Sequence, residues 1–323
     1  MNAARSREWG IGNRESWPGV RGQIRLDEPM AKHTSWRVGG PADLYFEPAD
    51  REDLLAFVRL LPITEPVLWL GLGSNLLVRD GGWRGTVIAL HGTLDALHLI
   101  PDAVAVASPH ASPLTPHVFA EAGVHCARLA KLARDRQLAG LGFMAGIPGT
   151  VGGALAMNAG AWGGETWPVV ERAEVLMRDG DVRWLAAGDL EWGYRHVALP
   201  AEALGFLGAV FRTRIDADGE DARATRESLA RRKATQPVGK PSAGSTFRNP
   251  PGDHAARLIE ASGLKGYRIG GAQVSTLHAN FIVTEAGARA ADVEALILHL
   301  QAEVQRLHGV RLQTEVRIVG VAS

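Results

Sequence analysis

Cysteine is almost absent from this sequence. Cys126 is the only one in 323 residues, so no intrachain disulfide can form, which fits a reducing, cytoplasmic compartment. Excess charge is absent as well. Lys+Arg and Asp+Glu both number 35, for a formal net charge of zero. A neutral chain carries no electrostatic footprint for general nucleic-acid or membrane binding, although a local anion site stays open. No uninterrupted apolar run is long enough to span a bilayer. Met1 to Arg21 lacks the apolar segment of a secretory signal, and residues 1–20 are expected to form a disordered extension. Met30, just ahead of the first strong motif, is an alternative start. There is no internal repeat, no Walker A sequence and no histidine spacing suited to a metal, so no metal is expected.

Glycine is what the chain has in quantity: 38 residues, dense at 71–85, 140–164 and 263–271. Such clusters mark sharp turns or a close approach of backbone to a ligand. Short β-type runs lie between them, at Val67–Leu70, Val87–Leu90, Ala103–Val106 and Phe206–Ile215. Ala173–Met177 and Val182–Leu185 read as a hairpin across Asp179-Gly180-Asp181. Helical spacing marks Asp50–Leu61, with Asp50 as N-cap, and His125–Leu138 and Ala291–His308. Ala222–Lys233 reads as a charged, exposed helix, and Asp253 as the cap of a helix stopping at Gly263. These readings divide the chain into a strand-rich region, 21–215, and a smaller α+β unit, 216–323.

Two glycine-rich segments are candidate ligand loops. Gly71-Leu72-Gly73-Ser74-Asn75 follows the strand at Val67. Leu76 replaces the third glycine of a dinucleotide fingerprint and no clear helix follows, so the Rossmann reading is weak. What remains is a nest for a pyrophosphate or a plain turn between strands. The second, 140–164, holds nine glycines in 25 residues. Thr150 and Val151 open a short helix whose N–H groups would face phosphate.

These segments, with His33-Thr34-Ser35-Trp36-Arg37-Val38-Gly39-Gly40, Gly244-Ser245-Thr246-Phe247-Arg248-Asn249-Pro250, His278-Ala279-Asn280-Phe281-Ile282-Val283 and Glu315-Val316-Arg317-Ile318-Val319, resemble the UDP-N-acetylenolpyruvoylglucosamine reductases. The matches run in order from about residue 33 to 320. The resemblance implies an α+β chain: an FAD-binding fold of the vanillyl-alcohol-oxidase (PCMH-like) type at 21–215, then a smaller substrate-binding domain at 216–323. It implies non-covalent FAD, NADPH as electron donor and a UDP-sugar enolpyruvate as substrate. A monomer is favoured. The compact stretch between Asn249 and Gly263 fits the short, second subclass. Gly142 departs from a common glutamate and Thr284 from a common asparagine, and 107–116 matches poorly.

The reaction needs a hydride at one alkene carbon and a proton at its neighbour, with negative charge building between the steps. The resemblance assigns proton donation to Ser245, a catalytic carboxylate to Glu315 and carboxylate or enolate stabilisation to Arg195. A guanidinium suits that last task because it stays charged and binds in two places. Cofactor contacts are expected at Gly71, Gly73, Ser74, Asn75, Gly146, Ile147, Gly149, Thr150, Gly152 and Gly153. Substrate contacts are expected at Tyr194, Arg248, Asn249 and His278. With no nicotinamide fingerprint in the chain, NADPH and substrate would take turns at one site. Two other readings stay open: a flavin oxidase of the same superfamily, and a non-catalytic nucleotide-binding protein. Cys126, within a helix, argues against a covalently attached flavin.

Overall fold

The computed structural model describes residues 17–100 and 116–322. The expected strand at 103–106 and the poorly matching stretch 107–115 lie outside the described residues. Helices and strands alternate irregularly with mixed pairing, the α+β class expected. The six α-helices among the described residues are α1 (Arg51–Leu60), α2 (Cys126–Asp135), α3 (Val151–Met157), α4 (Glu220–Thr235), α5 (Ala255–Ala261) and α6 (Ala290–His308). None is long and apolar enough to cross a membrane.

The chain forms two compact units, neither continuous in sequence. The first comprises Met1–Arg25, Leu44–Gly71 and Gly85–Leu229; the second, Leu26–Asp43, Leu72–Arg84 and Ala230–Ser323. The sequence division at 215/216 instead assigned 216–229 to the second region and 26–43 and 72–84 to the first. Their membership of the second unit comes from long-range pairing, which no local pattern announces.

In the first unit, a five-stranded antiparallel sheet runs in the order Val182–Ala186, Val170–Met177, Ala203–Arg212, His117–Glu121, Leu97–Ile100. The hairpin read from Asp179-Gly180-Asp181 is its first pair. Val118, Ala120, Val175, Ala209 and Phe211 point from it into a core shared with α2, α3 and Trp167. A second core gathers Leu54, Phe57 and Val58 of α1 with Phe46, Ile88 and Leu207. Asp50 caps α1 as expected, its carboxylate accepting the Asp53 N–H at 2.9 Å. Residues 17–20, expected to fall in a disordered extension, are instead anchored: Trp17 is buried and stacks on Phe57. An indole of that size removes enough apolar surface from water to fix its short segment.

In the second unit, α5 and α6 cover a three-stranded antiparallel sheet, Arg268–Ile269, Ala272–Val274 and Ile282–Thr284. Leu76–Val78 pairs in parallel with Arg317–Val319. α5 starts later than expected, and its cap is not Asp253. Asn249 Oδ1 accepts the Ala255 N–H at 3.1 Å, while the Asp253 carboxylate pairs with Arg257 four residues on. α4 buries no side chain, as its composition foretold.

Candidate active site

Glu315 is hydrogen-bonded to the backbone of Thr246, the residue that follows Ser245. The Thr246 carbonyl accepts the Glu315 N–H at 2.8 Å, and the Thr246 N–H donates to the Asn280 carbonyl at 2.8 Å. The Asn280 carboxamide then clamps Phe247 at both ends: Oδ1 accepts its N–H at 2.9 Å and Nδ2 donates to its carbonyl at 2.8 Å. Glu315 is also fixed from the other side, since Asn75 Nδ2 donates to the Glu315 carbonyl at 3.2 Å. The last strand begins at Arg317, and Glu315 sits in the bend just before it. The Thr246 hydroxyl is buried without a hydrogen-bond partner among the described residues.

The expected substrate contacts of this unit are placed as follows. Arg248 donates its N–H to Gln313 O at 2.9 Å, holding it beside the Thr314 bridge to Phe247. Asn249 is exposed and spends its carbonyl oxygen on α5. His278 accepts the Asn280 N–H on Nδ1 at 3.3 Å, which requires a neutral ring. Burial and the nearby Lys265 hold its pKa down, in agreement. Thr284, in place of the usual asparagine, donates its hydroxyl to Trp36 O at 2.6 Å.

Arg195 belongs to the first unit. It sits at the second position of the two-residue turn joining Glu191–Gly193 to His196–Ala198, where Gly193 and His196 pair. Its φ is +55°, a left-handed backbone that an arginine seldom adopts. Nη1 donates to Asn158 O at 3.3 Å and Nη2 to Gly160 O at 3.1 Å. The guanidinium also lies 5.3 Å from the centre of the exposed Tyr194 ring.

The two glycine-rich segments behave differently. At 146–153 the expected phosphate-facing helix N-terminus is not there to be used. The Val151 N–H donates to Val124 O and the Gly152 N–H to Ala122 O, both at 2.8 Å, and the Gly153 N–H turns back to Thr150 Oγ1. These donors are satisfied because the segment packs against the turn that follows His117–Glu121. A Cβ at Gly152 would stand 2.9 Å from Ala122 Cβ, and one at Gly146 2.6 Å from Ala161 Cβ. Ile147 is buried in the core, and the Gly149 carbonyl accepts from Cys126 N. Gly153 is the exception, exposed and with only Thr150 Oγ1 at 3.8 Å on its Cβ side. Gly71 lies against Thr150, whose hydroxyl would be 2.5 Å from a Cβ there. Gly142 is explained in the same way, because a Cβ would stand 2.5 Å from the Asp221 carboxylate.

The loop at 73–75 keeps its donors. Among the described residues no protein acceptor takes the N–H groups of Gly73, Ser74 or Asn75, whereas the Gly73 carbonyl accepts from both Ser35 N and Ser35 Oγ. Gly73 has φ +60°, and a Cβ would overlap the His33 carbonyl oxygen. This is a loop shaped to present N–H groups, the donor set a diphosphate requires. The loop at 73–75 therefore fits the diphosphate of FAD. Cys126 is fully buried and its thiol is pushed up to about 12, so it is inert toward flavin attachment. No group of three or more metal-ligating side chains occurs among the described residues.

The chain is similar to known proteins over nearly its whole length. Residues 42–186 match a model of an FAD binding domain, and 236–319 match the C-terminal domain of UDP-N-acetylenolpyruvoylglucosamine reductase. The UDP-N-acetylenolpyruvoylglucosamine reductase of Alkalilimnicola ehrlichii is 53% identical over 305 residues, spanning 93% of this chain and 96% of that protein. The one of Methylococcus capsulatus is 51% identical over 306 residues, spanning 94% and 95%. The crystal structure of the reductase from Thermus caldophilus superposes with a TM-score of 0.73 at 32% identity, covering 93% of this chain and 99% of that one. An FAD-binding domain thus precedes a smaller C-terminal domain, and the chain belongs to the UDP-N-acetylenolpyruvoylglucosamine reductase family.

Proposed function

We propose that this protein reduces UDP-N-acetylglucosamine enolpyruvate to UDP-N-acetylmuramate with NADPH, through non-covalently bound FAD, in peptidoglycan precursor synthesis. It works as a cytoplasmic monomer on small molecules, with neither nucleic acid nor membrane as partner, and belongs to the short subclass. The observation that carries this reading is identity of about half to named reductases across nearly the whole chain. We assign FAD binding to 21–215, the loop at 72–75 included, and substrate binding to 216–323.

Bound FAD would take a hydride equivalent from NADPH and give one to the substrate alkene. The rest falls to side chains of this chain. The N–H groups of Gly73, Ser74 and Asn75 would hold the cofactor, whereas Gly71, Gly146, Ile147, Gly149, Thr150 and Gly152, also expected at this site, are packed within their own unit. Once the alkene has accepted a hydride, negative charge spreads from carbon into the substrate carboxylate. Arg195 stabilises it. A guanidinium can grip a carboxylate in two places, which suits it to this task. Ser245 then delivers its proton to the carbon. A serine hydroxyl is a weak acid and serves only against so basic a centre. Glu315, tied to Ser245 through Thr246, orients donor and substrate. Tyr194, Arg248, Asn249 and His278 complete the substrate contacts.

Without oxygen, NADPH should bleach the yellow protein, and the enolpyruvyl sugar nucleotide should restore its colour. Colour returning only on admission of O₂ would favour the oxidase reading. Flavin that stays with the denatured chain would contradict non-covalent binding.

A further inference from the structure

We infer that Asn158 is a positioning residue for Arg195, acting on the substrate half of the reaction through the hairpin that carries the guanidinium. The inference rests on the assignment of Arg195 given above.

Asn158 is completely buried at the C-terminus of α3, and every polar atom of its side chain is engaged. Nδ2 donates to Gly193 O at 2.9 Å and to Glu165 Oε2 at 3.0 Å, while Oδ1 accepts the Trp167 N–H at 3.0 Å. Gly193 is the residue that enters the Tyr194-Arg195 turn. The carboxamide therefore grips the base of the hairpin, and the Asn158 backbone carbonyl receives the tip of the side chain the hairpin presents. One residue holds Arg195 from both ends.

The backbone makes asparagine the natural occupant. Asn158 has φ +40°, the left-handed conformation that ends a helix, and asparagine tolerates it better than other side chains of its size. Turned this way, the residue ends α3 and directs its own carbonyl at Arg195. Arg195 in turn sits at φ +55°, a backbone that persists only where its surroundings hold it. The Nδ2 bond to Gly193 is one such hold. Without it the turn can relax, and the guanidinium shifts relative to the charge it must meet.

Two variants separate positioning from bulk structure. Asn158→Gly keeps the left-handed backbone and deletes the carboxamide. Asn158→Asp keeps size and the acceptor for Trp167, but removes both donors and sets a carboxylate against Glu165; it serves if the glycine variant does not fold. Each is loaded to equal FAD content, and the two half-reactions are followed by stopped-flow. Bleaching by NADPH should stay within about twofold of the parent, while reoxidation by the enolpyruvyl sugar nucleotide should slow about 10–100-fold, the loss expected of a misplaced catalytic group. In an Arg195→Ala background, Asn158→Gly should cost nothing further, because the residue it positions is gone. Equal slowing of both half-reactions, or a full additional loss in the Arg195→Ala background, would make the role structural and overturn the inference. Parent reoxidation by Asn158→Gly alongside a slow Arg195→Ala would refute positioning alone. Parent reoxidation by Arg195→Ala would refute the assignment of Arg195 and the inference with it.

Discussion

Segments 73–75 and 146–153 look alike in sequence and use their backbones in opposite ways. In the second, the first-turn N–H groups of α3 are consumed by Val124, Ala122 and Thr150, and Gly152 is small because Ala122 lies against it. In the first, the N–H groups of Gly73, Ser74 and Asn75 meet no acceptor among the described residues, and Gly73 is required by its positive φ. Dense glycine therefore reports that backbone runs close to something, which is as often the protein itself as a ligand. The unclaimed donors discriminate between the two cases.

The comparison can be broken most forcefully at Gly73. Gly73→Ala adds left-handed strain and a clash with His33 O. Together these should cost roughly 2–6 kcal/mol and release FAD. Flavin content and urea midpoint read the two effects, and a stable yellow protein would refute the assigned loop geometry. Gly152→Ala should cost about 1–3 kcal/mol from overpacking against Ala122, visible as a lower midpoint with or without FAD. Gly153→Ala sharpens the contrast, since its Cβ enters open space in a helical backbone. Without FAD, stability should rise by about 0.5–1 kcal/mol. If the cofactor passes over this residue, affinity for FAD should fall in the same variant. A gain in stability with unchanged affinity would take Gly153 out of the cofactor site.

A smaller effect is expected from pH. The folded pKa of His278 lies below its ordinary value of 6.5, because burial disfavours the cation. Its neutral form therefore contributes stability that is complete above about pH 6.5 and is lost as pH falls toward the folded pKa. His278→Gln should flatten the decline of the urea midpoint below pH 6.5. An unchanged slope would place the acid sensitivity elsewhere.

Much of this was legible in the sequence, and the failures share a cause. Asp50 as N-cap, the Asp179-Gly180-Asp181 hairpin and the exposed α4 rest on interactions a few residues apart. The family motifs suggest roles for Arg195, Ser245 and Glu315. Asp253 failed as a cap because Asn249 outcompeted it from outside the turn. The membership of 72–84 in the second unit follows from pairing of Leu76–Val78 with Arg317–Val319, about 240 residues away, which no periodicity encodes. The commitment of the α3 N–H groups was hidden likewise, since their acceptors Ala122 and Val124 lie in the turn after His117–Glu121, almost thirty residues earlier. Asn158 gave no signal of its own beyond an asparagine among small residues.

The central claim is that Ser245 supplies the proton and Glu315, joined to it through Thr246, orients the transfer. Stopped-flow on Ser245→Ala tests it most directly, with the two half-reactions observed apart. Bleaching by NADPH should proceed at the parent rate, since that step needs no acid at the substrate carbon. Reoxidation by the enolpyruvyl sugar nucleotide should slow by at least about 10²–10⁴-fold, the usual contribution of a positioned acid. Reoxidation at the parent rate would mean that the proton comes from another group, and would contradict the assignment.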